Sequence, residues 1–444
     1  MKRTSPVGLV KRIPVAGGMP LLVESSSDLP LVHFMIGFRT GAELDPEGLE
    51  GLTRFTARLL RRTAGGLPSS AIESRIDDLG GAISVDAAST STTLHGTVIA
   101  RSLEGFTALL LDMLGKPGFL NEELERLRRE TTSELIQARD DDRYLARRAF
   151  KRRVFGTDPQ GRSTSGTLRS VARFQESDVR NLAGQLLRSK QALVAISGDM
   201  SEDRARAFAE EVERSLSTAP AMEIEVPPPA VPKGRRLVFV DKPERSQTQI
   251  FIGGLGTHPH DNDHLALQIA NTVFGGTFTA RLSEEIRVKR GWSYGAYASL
   301  PYGRERQPFS MWTFPKAADA AACIALELEL LERWRERGIT KKELGAAKRY
   351  LDRSQAFAVD TASKRVGLAS ESVLLELPEG YHEHYVERLR AVTLDEVNGA
   401  IRNRIDPENL LISVLGTHPE IGVAIEKAVP RLASAEVVAF DVDE

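Results

Sequence analysis

The chain repeats itself, and that repetition limits its folds more than any single motif does. Leu31-Val32-His33-Phe34-Met35-Ile36-Gly37 in the first half has a counterpart in Gln249-Ile250-Phe251-Ile252-Gly253 in the second. Asn121-Glu122-Glu123-Leu124 matches Lys341-Lys342-Glu343-Leu344, and Leu193-Val194-Ala195-Ile196-Ser197-Gly198 matches Leu411-Ile412-Ser413-Val414-Leu415-Gly416. Glu123 and Glu343 lie 220 residues apart, Gly198 and Gly416 218 apart. Unrelated domains rarely keep both order and spacing, so the pattern implies a duplicated unit. The run Val226-Pro227-Pro228-Pro229-Ala230-Val231-Pro232 separates the copies; proline fixes φ and lacks a donor, so the run predicts an extended spacer. The expected organisation is a first domain over 1–222, a linker over 223–233 and a second domain over 234–444.

Within each copy, apolar alternation and helical spacing are mixed. Ile83 to Ala87 and Thr93 to Val98 alternate as half-buried strands do, while Leu52, Phe55, Leu59 and Leu60 recur at helical spacing. Thr340/Glu343 and Thr393/Glu396 are capping boxes that predict helix starts. The expected fold class is α+β: two duplicated domains, each a mostly antiparallel sheet covered by helices on one face.

Composition excludes several functions. Lys plus Arg number 59 and Asp plus Glu 61, a formal charge of −2, which argues against a nucleic-acid binder that must neutralise phosphates. One cysteine, Cys323, permits neither an intramolecular disulfide nor a cysteine-built zinc site, and it reads as a small buried hydrophobe. No run approaches the ~20 apolar residues of a membrane span. The expected compartment is the cytoplasm, with the periplasm as alternative if a signal has been removed.

Two segments carry a resemblance. Gly41-Ala42-Glu43-Leu44-Asp45-Pro46-Glu47-Gly48-Leu49-Glu50-Gly51-Leu52 looks like the approach to the active-site helix of the pitrilysin-like (M16) zinc metallopeptidases. Gly275-Gly276-Thr277-Phe278-Thr279-Ala280-Arg281-Leu282-Ser283-Glu284-Glu285-Ile286-Arg287, followed by Lys289-Arg290-Gly291-Trp292-Ser293-Tyr294, resembles that family's second-domain signature. The family includes insulin-degrading enzyme, the mitochondrial processing peptidase and bacterial two-subunit peptidases. The resemblance runs roughly from Val15 to Gly416.

The departure from the family is chemical. Where its zinc helix carries H-x-x-E-H, this chain reads Arg54-Phe55-Thr56-Ala57-Arg58. A guanidinium offers no lone pair and stays protonated, and Ala57 has no group to deprotonate water. The third ligand position aligns with Glu134, expected to pair with Arg54 or Arg58 instead of a metal. No metal or cofactor is therefore expected in this chain.

Arg287 and Tyr294, in contrast, match the family's arginine–tyrosine pair, which the resemblance implies contacts the peptide near the scissile bond. The expectation is a zinc-less subunit that lends this pair to a homologous zinc-bearing partner in a heterodimer. It would be inactive alone, with an inactive homodimer compatible with the same surface. The alternative is a catalytically inert structural or assembly subunit. Ser84, Val85, Asp86 and Ala87, after the Gly80-Gly81 turn, are candidates for an edge strand that pairs with substrate.

Other signals point to structure rather than chemistry. His258, His260 and His264, with Asp261 and Asp263, read as a capped loop before a helix, not a metal cluster. His382 and His384 are expected on a helix, two apart and so on different faces. His33 and His95 read as satisfied strand residues, and Arg147 to Arg153, after Asp140-Asp141-Asp142, as a solvated charged face.

Overall fold

The computed structural model describes residues 6–224 and 233–443. The proline-rich run falls outside them.

The first sheet holds six strands: β1 (Lys11–Pro14), β2 (Pro20–Ser25), β3 (Leu31–Phe38), β4 (Ala82–Ala87), β5 (Thr92–Ile99) and β6 (Ala192–Gly198). The second holds β7 (Arg235–Asp241), β8 (Gln249–Leu255), β9 (Ala296–Ser299), β10 (Pro308–Thr313), β11 (Leu411–Gly416) and β12 (Leu432–Ala439). Their orders are β1-β2-β6-β3-β5-β4 and β12-β7-β11-β8-β10-β9. Five strands thus correspond one to one, and the repeats seen in sequence occupy equivalent places. The sheets are mixed and mostly antiparallel, with parallel pairs at β2/β6, β7/β11 and β7/β12. They differ at one border, where β1 runs antiparallel to β2 but β12 runs parallel to β7.

Seven helices matter below: α1 (Leu52–Leu60), α2 (Asn121–Gln137), α3 (Asp142–Phe155), α4 (His264–Phe274), α5 (Ala320–Arg337), α6 (Lys341–Ala358) and α7 (Ala362–Leu374). The main core of the first sheet joins Leu21, Val23, Phe34 and Ile36 to Phe55, Leu59, Phe106 and Phe208. Strand side chains alternate between faces, so Leu22, Leu193 and Ala195 point the other way, where Val366 and Leu374 of α7 cover them. This corrects the expectation of helices on one face only. Burial on both faces explains why β6 and β11 read as nearly continuous apolar runs, each with a single serine, Ser197 and Ser413.

The second sheet is built alike. Leu145, Ala146, Ala149, Phe150 and Val154 of α3 cover Val238, Val240, Phe251, Leu411 and Leu415. The basic run Arg147 to Arg153 is therefore not a free solvated face but the polar side of a helix whose apolar stripe packs on a sheet; Arg153 pairs with Glu436 at 2.5 Å.

Compactness does not follow the linear halves. The first unit comprises Met1–Leu135, Arg162–Val226 and Ala356–Tyr385; the second comprises Ile136–Gly161, Pro227–Gln355 and Val386–Glu444. Each unit includes a helical segment from the opposite half of the sequence: α7 in the first, α3 in the second. Among the described residues no helix is long and apolar enough to cross a membrane.

Candidate functional site

In the first unit, α1 is set in place by a buried carboxylate. Asp45, 4% exposed, accepts the backbone N–H of Gly51 at 2.7 Å, that of Thr53 at 2.7 Å and the Thr53 hydroxyl at 2.6 Å. Burial pushes its pKa up to about 7, against the lowering pull of those donors. Gly51 takes φ +88°, and a Cβ there would stand 2.5 Å from the backbone nitrogen of Gly166, so only glycine fits.

Arg54, Ala57 and Arg58 follow on this helix. Arg58 makes a two-pronged pair with Glu134 of α2 at 2.8 and 2.7 Å, the partner expected from sequence. Arg54 donates instead to the Ser165 hydroxyl at 2.5 Å. Sequence reading missed the next step of the ladder. Arg62, four residues beyond Arg58, binds Glu130 at 2.5 Å and lies 4.0 Å from Glu123. Arg62 also holds the Glu130 carboxyl below its usual range. The four-residue spacing of Arg54, Arg58 and Arg62 was the available signal. Ala57 is 1% exposed.

These residues do not fit zinc. Arg54 and Arg58 are guanidinium groups without a lone pair to offer, the Glu134 carboxylate is taken by Arg58, and Ala57 contributes only a buried methyl. Among the described residues no three His, Cys, Asp or Glu side chains group as a metal site. The histidines are accounted for otherwise. His33 Nδ1 meets Thr97 at 2.9 Å, and His95 Nε2 meets Thr93 at 3.1 Å. Asp261 pairs with Arg306 at 2.5 Å and Asp263 with Arg404 at 2.8 Å, while buried His264 meets the Thr257 hydroxyl at 2.9 Å and burial lowers its pKa to about 4. His382 and His384 lie on a turn before the helix Tyr385–Ala391, not on a helix as expected; His382 packs 3.1 Å from Glu371. Cys323 is buried, though in a polar niche 3.9 Å from Glu327.

Ser84, Val85, Asp86 and Ala87 belong to β4, which borders the first sheet and pairs only with β5 among the described strands. Arg61 takes the carbonyl of Ile83 at 2.8 Å.

The second unit presents a different arrangement. Arg287 lies in a short π-helical turn, Glu284–Val288, closed by the Lys289 N–H on the Glu284 carbonyl at 3.0 Å. Such i→i+5 turns are rare and recur at functional sites. The Arg287 guanidinium carbon sits 3.2 Å from the centroid of the Phe278 ring, and its buried Nη1 has no hydrogen-bond partner. Tyr294 lies in the loop before β9 rather than in a strand. Its neighbour Ser293, 3% exposed, pins that loop by donating to the Gly295 carbonyl at 2.6 Å and accepting the Phe314 N–H at 3.0 Å. Tyr294 is left 76% exposed.

Comparison with known proteins gives the family. Residues 22–168 match the family model described as insulinase (peptidase family M16), and residues 173–351 match the one described as the peptidase M16 inactive domain. The chain belongs to the M16 peptidase family. It is similar to a Helicobacter pylori protein named non-peptidase homolog YmxG, 21% identical, covering 89% of this chain and 91% of the relative. An uncharacterized zinc protease of Mycobacterium tuberculosis, Rv2782c, is 25% identical over 92% of this chain and 93% of its own. The fold matches the crystal structure of a peptidase M16 inactive domain from Pseudomonas fluorescens at a TM-score of 0.85 and 24% identity, over 92% of this chain and 98% of that one.

Proposed function

We propose that this chain is the zinc-less subunit of a two-chain M16 peptidase, binding substrate peptide with Arg287 and Tyr294 beside a homologous zinc-bearing partner. The observation that carries the reading is a contrast in commitment. Arg58 is bonded twice to Glu134, whereas Arg287 keeps a buried Nη1 without a partner and Tyr294 stands 76% exposed. A guanidinium donates charge-assisted hydrogen bonds to peptide carbonyls, and a phenol O–H can donate to an oxygen that gains negative charge during cleavage. Neither group needs a metal of its own. The match of residues 173–351 to the inactive-domain model supports the reading.

The lone chain then cleaves no peptide, and turnover arises on mixing with the partner. In this scheme β4 is a secondary peptide edge, at Ser84 to Ala87. The test measures peptide hydrolysis by the chain alone, by the mixture, and by mixtures carrying Arg287→Ala or Tyr294→Phe. Full turnover with both substitutions overturns the proposal in favour of an inert assembly subunit; zinc bound stoichiometrically by the lone chain, with chelator-sensitive cleavage, overturns it from the other side.

A further inference from the structure

The second unit contains a cleft of about 780 Å³ bounded by α4, α5, α6 and the loop that follows α4. That volume falls within the range of ligand sites, roughly 300–1,000 Å³. Its floor includes Phe274 and Trp334, stacked 4.2 Å apart at 6°. At its mouth stand two aromatic rings that are half exposed, Phe278 at 51% and Tyr350 at 52%. Large exposed aromatics grouped around a cavity mark contact surfaces more often than packing faults.

Charge narrows the occupant. Arg281 is committed to Glu343 through two hydrogen bonds at 2.8 and 2.7 Å, and Glu343 also caps α6, its pKa lowered to about 2. Arg333 pairs with Glu329, and Glu285 pairs with Lys289 and Arg290. Glu284 and Arg337 also line the cleft; they are opposite in sign, so its charges favour neither an anion nor a cation, and its largest uncommitted surface is aromatic.

Phe278 connects this cleft to the site described above, since the ring that lines the cleft also carries the Arg287 guanidinium. We propose that the cleft is a specificity pocket for a large apolar side chain, above all an aromatic one, of the peptide whose backbone Arg287 holds. This rests on the reading of Arg287 as a peptide-binding group. Phe278 then has two tasks: a wall of the pocket and a platform that fixes the plane of the guanidinium.

The test uses the full chain and fluorescein-labelled nonapeptides of glycine and serine with a single central Phe or Ala, followed by fluorescence anisotropy. The Phe peptide is expected to bind about tenfold more tightly, the scale of burying one aromatic side chain. Ala346→Trp, an exposed α6 position that lines the cleft, plugs it and abolishes the preference; Tyr350→Ala reduces it without adding bulk. Arg287→Ala weakens both peptides equally and keeps the preference. Equal binding of the two peptides by the wild-type chain, or a preference that survives Ala346→Trp in a folded variant, overturns the pocket. If Arg287→Ala changes nothing while Ala346→Trp removes the preference, the pocket stands and the peptide-binding role of Arg287 falls.

Discussion

The two units share five corresponding strands and leave their candidate positions in opposite states. In the first, the helix after β3 carries Arg54, Ala57 and Arg58, and the polar groups are closed off by Ser165, Glu134 and the Arg62–Glu130 pair beside them. In the second, the segment after the corresponding strand β8 and its helix α4 ends in a π turn, a cation over an aromatic ring and an exposed phenol. One copy has satisfied its charges internally; the other has kept groups available. The lesson is that two copies of one fold can treat their polar groups independently, because ion pairs and hydrogen bonds are made locally within each copy.

Substitutions break this comparison most sharply in the second unit. In the mixed complex, Arg287→Ala or Tyr294→Phe is expected to lower kcat about 10²–10³-fold, as loss of a transition-state donor does, with the thermal unfolding curve unchanged. In the first unit the large effect belongs to Asp45. Asp45→Ala leaves three donors unmatched at the start of α1 and costs about 2 kcal/mol in denaturant unfolding, without touching any proposed peptide contact.

Glu327 sharpens the contrast through pH. It is fully buried on α5, accepts from Thr313 at 3.2 Å through one oxygen and leaves the other unpaired; burial pushes its pKa up to about 8. The folded state therefore holds a proton that the unfolded chain releases near its ordinary value of 4.5. Its contribution to stability is full below that pH and falls as pH rises through about 8. Glu327→Gln should raise Tm at pH 9 by at least about 3 °C and leave it nearly unchanged at pH 4. The smallest effect is expected from Glu134→Gln. Glu134 is 46% exposed, so losing its bond to Arg58 costs less than about 1 kcal/mol, visible as a small shift of the denaturant midpoint.

Much of this architecture was legible in the residues. The repeat survived because β3, β6, β8 and β11 occupy the interior of their sheets, where apolar character is enforced on both faces. The Arg58–Glu134 pair was legible because a guanidinium near a carboxylate has few better options. The helix expected for His382 and His384 failed against a local signal that was present: Pro378 and Gly380, the latter at φ +66°, hold a turn until Tyr385. The covering of each sheet's second face was not legible. The apolar stripe of α3 is interrupted by arginines whose aliphatic stems tolerate partial burial, and only the sheet beneath it reveals which side packs. The π turn left no trace either, since one extra residue in a helical turn alters no composition.

The exchanged helices bear on how the molecule is made. During synthesis β6 emerges well before α7, so the first sheet must wait with one apolar surface bare until Ala362–Leu374 has left the ribosome. Neither linear half encodes a complete sandwich. Cutting the gene at the proline-rich run would yield two fragments, each exposing a greasy sheet and each carrying a helix suited to the other, so they should become soluble only when expressed together.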